Sequence, residues 1–125
     1  MLVAIVAAIL IALGGDPADA TAFERAAEVV ERRVPDRDRR DAAVELLGRM
    51  QETVEEMAAP PRPMVRTVVD LLRRHRVAAA DLRRALEPLE QRRIRLEERL
   101  VAMRMLLRTY LTAEEWAEAF PPPAG

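Results

Sequence analysis

The stretch that decides the fold runs from residue 81 to residue 116 and reads DLRRALEPLEQRRIRLEERLVAMRMLLRTYLTAEEW. Apolar residues recur in it at alternating spacings of four and three, which is typical of a helix packed lengthwise against another helix. The positions of this seam are Leu82, Leu86, Leu89, Leu96, Leu100, Met103, Leu107 and Tyr110, with Arg93 in the remaining slot. We therefore predict one long helix that is buried along one side.

The arginine in this seam has two interpretations. The stem of Arg93 packs in the seam while its guanidinium group reaches water. Alternatively, Arg93 sets the register of the helices through an ion pair with a glutamate of the neighbouring helix or of a second subunit. The sequence leaves both open.

Two shorter helices are predicted in the first half of the chain. Thr21-Ala22-Phe23-Glu24 has the form of a capping box and opens a helix that Val34-Pro35-Asp36 interrupts. Asp36 or Asp38 caps the next helix, which Pro60-Pro61-Arg62-Pro63 ends because proline lacks the backbone N–H that a helix interior needs. The residues expected to face inward are Phe23, Ala26, Ala27 and Val30 in the first helix, and Ala43, Leu47, Met50, Val54 and Met57 in the second.

Four further signals complete the helical pattern. A third helix is predicted from Met64 to about Arg76, and Asp81 is the expected N-cap of the long helix. Pro88 either kinks the long helix or marks the first turn of a new segment. Thr112 opens a final short helix through a second capping box. The residues of the third helix expected to face inward are Val65, Val68, Val69 and Leu72.

These signals predict an all-α fold, a long antiparallel helical hairpin with short flanking helices. No alternating β-branched run bounded by turns indicates a strand. Because a two-helix hairpin of this size buries little core by itself, we expect a symmetric homodimer. The seam residues expected to serve both the intrachain packing and the partner are Leu96, Leu100, Met103 and Leu107.

The first 20 residues have the pattern of a secretory signal peptide. Leu2–Leu13 is unbroken aliphatic sequence, and Ala18-Asp19-Ala20 places the cleavage site before Thr21. As a helix the apolar run would span about 18 Å, well short of a membrane core. Its n-region lacks Arg and Lys, so a retained membrane anchor and a buried helix stay as alternatives. The predicted organisation is a leader at 1–20, a helical domain at 21–120 and a proline-rich tail at 121–125.

Composition excludes several classes of function. The chain has no cysteine, no serine and one histidine, so disulfides, thiolate chemistry and a lipoprotein anchor are excluded and nothing indicates an enzyme. The net charge of −1 gives no reason to expect nucleic-acid binding. The charges are unevenly placed, however, because arginines outnumber acids about two to one between residues 62 and 108. A solvated helix face and a basic surface for acidic partners both explain this excess.

A metal site has little support in the sequence, and we expect no cofactor. The weak candidates for metal ligands are His75 and Met64. Met50, Met57 and Met64 lie seven residues apart, and a row of thioethers can bind soft Cu(I). At heptad spacing, however, methionine is far more often a core residue.

The end of the long helix resembles a known family. Leu111, Thr112 and Glu114 match the Leu-Thr-x-x-Gln hallmark, often Leu-Thr-Pro-Glu-Gln, of the Spy/CpxP family of periplasmic proteins and its heavy-metal-resistance relatives, including CnrX-type sensors. Ala113 stands in place of the usual proline and Glu115 in place of the glutamine. The resemblance covers residues 81–120 and implies a hooked helical hairpin that dimerises into a cradle. It also implies a protein that holds unfolded clients or relays envelope stress without ATP.

We therefore expect a periplasmic, ATP-independent chaperone-like or envelope-stress accessory protein. Its partners would be itself and protein clients or an envelope complex, with no nucleic acid, and membrane contact only through an uncleaved leader. The side chains expected to bind protein are Arg92, Arg95 and Arg99 together with Leu96, Leu100, Met103 and Leu107. The alternatives are a structural subunit docked on a larger membrane-associated complex and, second, a periplasmic metal sensor.

Overall fold

The computed structural model describes residues 22–122 and folds them into five α-helices without a strand. The helices are α1 (Ala22–Arg33), α2 (Arg37–Ala58), α3 (Arg62–Arg73), α4 (Ala79–Tyr110) and α5 (Ala113–Ala119). The all-α prediction is confirmed. The predicted leader, the cap at Thr21 and residues 123–125 of the tail lie outside the described residues.

The core forms where α1, α2, α5 and the second half of α4 meet. Leu47, Met50 and Leu107 are fully buried there, and the buried set confirms most of the inward faces predicted for α1 and α2. Burial of such side chains stabilises a fold by about 1.5–3 kcal/mol each before the cost of ordering the chain. The buried apolar residues are Phe23, Ala26, Val30, Val34, Ala43, Leu46, Leu47, Met50, Met57, Leu96, Leu100, Leu107, Leu111, Ala119 and Phe120.

Polar contacts join α2 to α4 at both ends of α2. Near its start, Arg39 Nη1 donates to the carbonyl oxygen of Tyr110 at 2.6 Å. Near its end, the carbonyl oxygen of Glu56 accepts from Arg92 Nη2 at 2.7 Å. The end of α4 therefore lies beside the start of α2, and the middle of α4 lies beside the end of α2.

The predicted N-cap of α2 is confirmed, whereas the bounds of α3 and the N-cap of α4 are corrected. Asp36 caps α2, with its side chain accepting from the backbone N–H of Asp38. Helix α3 begins at Arg62 rather than Met64 because a proline in the first turn, here Pro63, lacks only an N–H that would have no helical partner. It ends at Arg73 instead of extending to 76. Helix α4 begins at Ala79, so Asp81 lies in its first turn instead of capping it.

Pro88 lies inside α4 and does not end it. The helix runs without a break from Ala79 to Tyr110. Proline removes one backbone hydrogen bond of the helix interior. The stability of α4 around Pro88 therefore depends more on packing against neighbouring residues than on the helix itself. The predicted alternative of a separate segment after Glu87 is therefore wrong.

The prediction that the apolar residues of α3 point inward is wrong for Val65 and Leu72, whereas Val68 and Val69 are half-buried. No residue of α3 is buried, and Val65 and Leu72 are 36% and 62% exposed. Helix α3 packs mainly on the first half of α4, and a single neighbour cannot cover an apolar face this wide. For the same reason, Leu86 in the first half of the predicted seam is 42% exposed.

Arg93 pairs with two glutamates of its own helix. Its Nη1 lies 2.7 Å from Glu97, and its Nη2 donates to Glu90. These contacts raise the pKa of Arg93 and lower the pKa of Glu90. Within residues 22–122, the guanidinium group is thus held by α4 itself rather than by a glutamate of a neighbouring helix.

Candidate protein-binding surfaces

The Leu-Thr motif builds the turn from α4 into α5. The hydroxyl oxygen of Thr112 accepts from the backbone N–H of Glu115 at 3.1 Å, and Glu115 Oε1 accepts from the N–H of Thr112 at 2.8 Å. This reciprocal pair is a capping box, as predicted, and it satisfies two donors that the start of α5 leaves without helical partners.

Arg39 holds this turn against α2. Its Nη1 and Nη2 lie 2.9 and 3.5 Å from the two carboxylate oxygens of Glu115. The hydrogen bond from Arg39 lowers the pKa of Glu115, with a further contribution from the N–H of Thr112, and raises the pKa of Arg39. Nothing in the local sequence distinguishes Arg39 from the arginines beside it, so this contact could not be predicted from the sequence.

Helix α5 is held by further contacts to α1 and α4. The guanidinium group of Arg104 lies over the Trp116 ring at 5.3 Å from its centroid, and the Phe120 ring lies 4.8 Å from that of Trp116. Glu118 pairs with Arg33 of α1 at 2.9 Å. Among the motif residues, Leu111 is buried while Glu114 is exposed. The motif therefore forms the turn that holds α5 against α1, α2 and α4 in this chain.

Most of the side chains predicted to bind protein lie in the core or at the α2–α4 contact. Leu96, Leu100 and Leu107 are buried in the core, and Met103 is half-buried. Arg92 donates to Glu56 as described, and Arg99 lies 3.8 Å from the Glu56 carboxylate. Arg95 is exposed. Protein binding by these residues stays a prediction.

A basic surface with exposed apolar residues lies on α3 and the first half of α4, residues 62–90, here called the arm. Val65, Leu72 and Leu86 are its exposed large apolar side chains. The arm contains seven arginines and four acids, Asp70, Asp81, Glu87 and Glu90. Among these arginines, which are Arg62, Arg66, Arg73, Arg74, Arg76, Arg83 and Arg84, only Arg84 has an ion pair within the described chain, with Asp81 at 3.8 Å.

An open groove runs between the two helices of the arm. It has a volume of about 490 Å³, and its apolar lining includes Met64, Leu71, Ala85 and Pro88, with Arg84 also in its lining. This volume is within the range of ligand pockets. The groove is open to solvent along the helices, so an elongated peptide segment fits it better than a compact small molecule.

The structure places the weak metal candidates in different surroundings. His75 is exposed in the connection after α3, and Met64 lines the groove of the arm. Met50 and Met57 are buried in the core. Residues 22–122 contain no group of three or more histidine, aspartate or glutamate side chains arranged to hold a metal ion.

Comparison with known proteins does not show a family for this chain. No family model, curated protein or solved structure matches this chain. The resemblance of residues 81–120 to the Spy/CpxP family therefore stays a prediction. Along the described part of the chain, no helix combines the length and the apolar character needed to cross a membrane.

Proposed function

We propose that this protein is a periplasmic, ATP-independent chaperone-like or envelope-stress accessory protein that binds unfolded or partner proteins through its arm. The observation that carries this proposal is the combination of Val65, Leu72 and Leu86, all exposed, with arginines that lack ion pairs in the described chain. The leader and the resemblance to the Spy/CpxP family support the compartment.

Each property of the arm supplies a different part of client binding. Unpaired arginines attract acidic segments over about 8–10 Å at ordinary salt. Exposed Val and Leu side chains then gain roughly 25 cal/mol for each Å² of apolar surface that the client covers. An apolar patch without flanking charge would favour self-association, so the arginines also keep the free protein soluble.

The frame that carries the arm is an antiparallel hairpin of α2 and α4 with short helices packed on it. The contacts of Arg39 with Tyr110 and of Arg92 with Glu56 support this arrangement. In the proposed protein the hairpin works as a symmetric homodimer. Two arms in one particle would raise the effective concentration of binding sites for a long unfolded chain.

The test is suppression of the aggregation of a chemically denatured model protein. We expect suppression at near-stoichiometric dimer, without nucleotide, and a weaker effect as the salt concentration rises. Replacement of Arg66, Arg73 and Arg83 by Glu should reduce it severalfold, because all three are exposed and without ion pairs in the described part. Arg92 and Arg99 are less suitable, since both contact Glu56.

A matched control changes the same number of charges outside the arm. Arg32, Arg37 and Arg49 are exposed, and each makes only contacts within its own helix. Such contacts contribute little to stability. Their replacement by Glu should leave suppression unchanged if the arm is the binding surface. A wild-type protein that never slows aggregation but co-purifies with one envelope complex would instead establish the structural-subunit function.

A further inference from the structure

Helix α4 carries a second row of residues at alternating spacings of four and three, on the side away from its core. This outer row consists of Ile94, Glu98, Val101, Met105 and Arg108. At 3.6 residues per turn, it points roughly 140° away from the buried leucines of the same helix. Val101 and Met105 are 57% and 63% exposed, Glu98 and Arg108 are exposed, and Ile94 is half-buried.

We propose that the outer row is the contact surface for a second copy of this chain, with the two α4 helices antiparallel. The two-fold axis lies at the level of residue 103. In this register Val101 packs on the partner subunit's Met105, and Glu98 pairs with the partner subunit's Arg108. Each contact occurs twice, as a two-fold interface requires.

The order of charges along the outer row indicates both the partner, which is a second copy of this chain, and the antiparallel orientation of the two α4 helices. Within the described chain neither Glu98 nor Arg108 has an ion pair, and they flank the apolar pair Val101 and Met105. Reversing the helix direction brings the negative end of one row onto the positive end of the other. A parallel pair would instead place Glu98 against Glu98 and Arg108 against Arg108, where like charges repel.

The size of this contact sets the expected affinity. In this register the paired part of the row, from Glu98 to Arg108, extends for about 15 Å. A contact between two helices over this length is at the small end of specific interfaces, so we expect dissociation in the micromolar range. The inference rests on the homodimer of the proposed function and not on client binding.

A charge exchange tests the register. The protein is obtained by expression of the full-length gene, and its mass is followed by sedimentation velocity between 1 and 200 micromolar. Glu98→Arg alone and Arg108→Glu alone should each shift dissociation at least tenfold toward monomer, because each creates like-charge pairs. The double variant Glu98→Arg/Arg108→Glu restores opposite charges and should restore the dimer. Circular dichroism should show unchanged helicity, since both residues are exposed.

The control is Glu87→Arg, which makes the same change at an exposed position of α4 before the proposed overlap. It should leave the dimer intact. A wild-type chain that stays monomeric at 200 micromolar overturns the proposal, as do single variants that dimerise like wild type. A double variant that stays monomeric excludes this register. Aggregation suppression, measured on the same samples, reports separately on the proposed function, because the arm variants keep the outer row.

Discussion

The guanidinium group of Arg39 and the carboxylate of Glu115 lie 2.9 Å apart, although 76 residues separate them in the chain. The pair joins the start of α2 to the first turn of α5. Glu115 also completes the capping box with Thr112, so one carboxylate serves the local turn and the tertiary contact together. Only 13% of the Glu115 side chain is exposed, which shields the pair from solvent better than the other ion pairs of the described chain.

Loss of the Glu115 charge should weaken the fold in a pH-dependent way. The pKa of Glu115 is lowered from its ordinary value of 4.5, chiefly by the hydrogen bond from Arg39. Its contribution is therefore fully present above pH 4.5 and is lost as the pH falls below 4.5 through the lowered pKa of the folded state. Urea unfolding should show Glu115→Gln less stable than wild type at pH 7, with a smaller difference at pH 3.

The neighbouring residue provides the control for this experiment. Glu114 is exposed and makes no hydrogen bond in the described part of the chain. Glu114→Gln should therefore change the urea midpoint little at either pH. Equal effects of the two substitutions at pH 7 would contradict the assigned role of the Arg39–Glu115 pair.

Removal of the Thr112 hydroxyl should destabilise the chain by about 1 kcal/mol, the usual cost of losing an N-cap side chain. The cause is local, because the N–H of Glu115 loses its acceptor at 3.1 Å. Thermal unfolding followed by circular dichroism should give a lower midpoint for Thr112→Ala. Thr112→Ser retains the hydroxyl and should stay near wild type; if serine is as harmful as alanine, the hydroxyl is not the cause.

Two charge insertions in α4 should have opposite consequences for folding. Leu100 is 2% exposed, so Leu100→Asp places a charge in the core and should cost more than about 4 kcal/mol, enough to unfold the chain. Met105 is 63% exposed, so Met105→Asp should leave a folded monomer. Circular dichroism combined with sedimentation distinguishes the two results. A folded Leu100→Asp variant would contradict the core described above.

The leader can be tested by the intact mass of the protein recovered from the cell envelope. Cleavage after Ala18-Asp19-Ala20 predicts a chain that starts at Thr21 and ends at Gly125. Full-length protein that resists extraction with carbonate would instead show that Leu2–Leu13 is retained as an anchor.

Local patterns were enough to predict most helices of the described chain. The prolines after α2, the cap at Asp36 and the capping box at Thr112 act within one or two turns, so each can be recognised without knowing the neighbours. The start of α3 was misplaced by two residues and the start of α4 by three. For α3, proline is tolerated in the first turn of a helix, so the helix can begin before Pro63. For α4, the small residues before Asp81 can also lie inside the helix, so several starts are compatible with the same sequence.

The sequence by itself determined the helical class of this protein and the apolar faces of its helices, because both follow from the spacing of residues along one chain. Only the tertiary structure decided which apolar faces are covered. Leu96 and Leu100 are buried because α2 packs there, whereas Leu72 and Leu86 stay exposed because the two helices of the arm pack mainly on each other. Burial depends on the number of neighbouring helices, and the pairing of Arg39 with Glu115 depends on distance in space. Periodicity along the chain records neither of these.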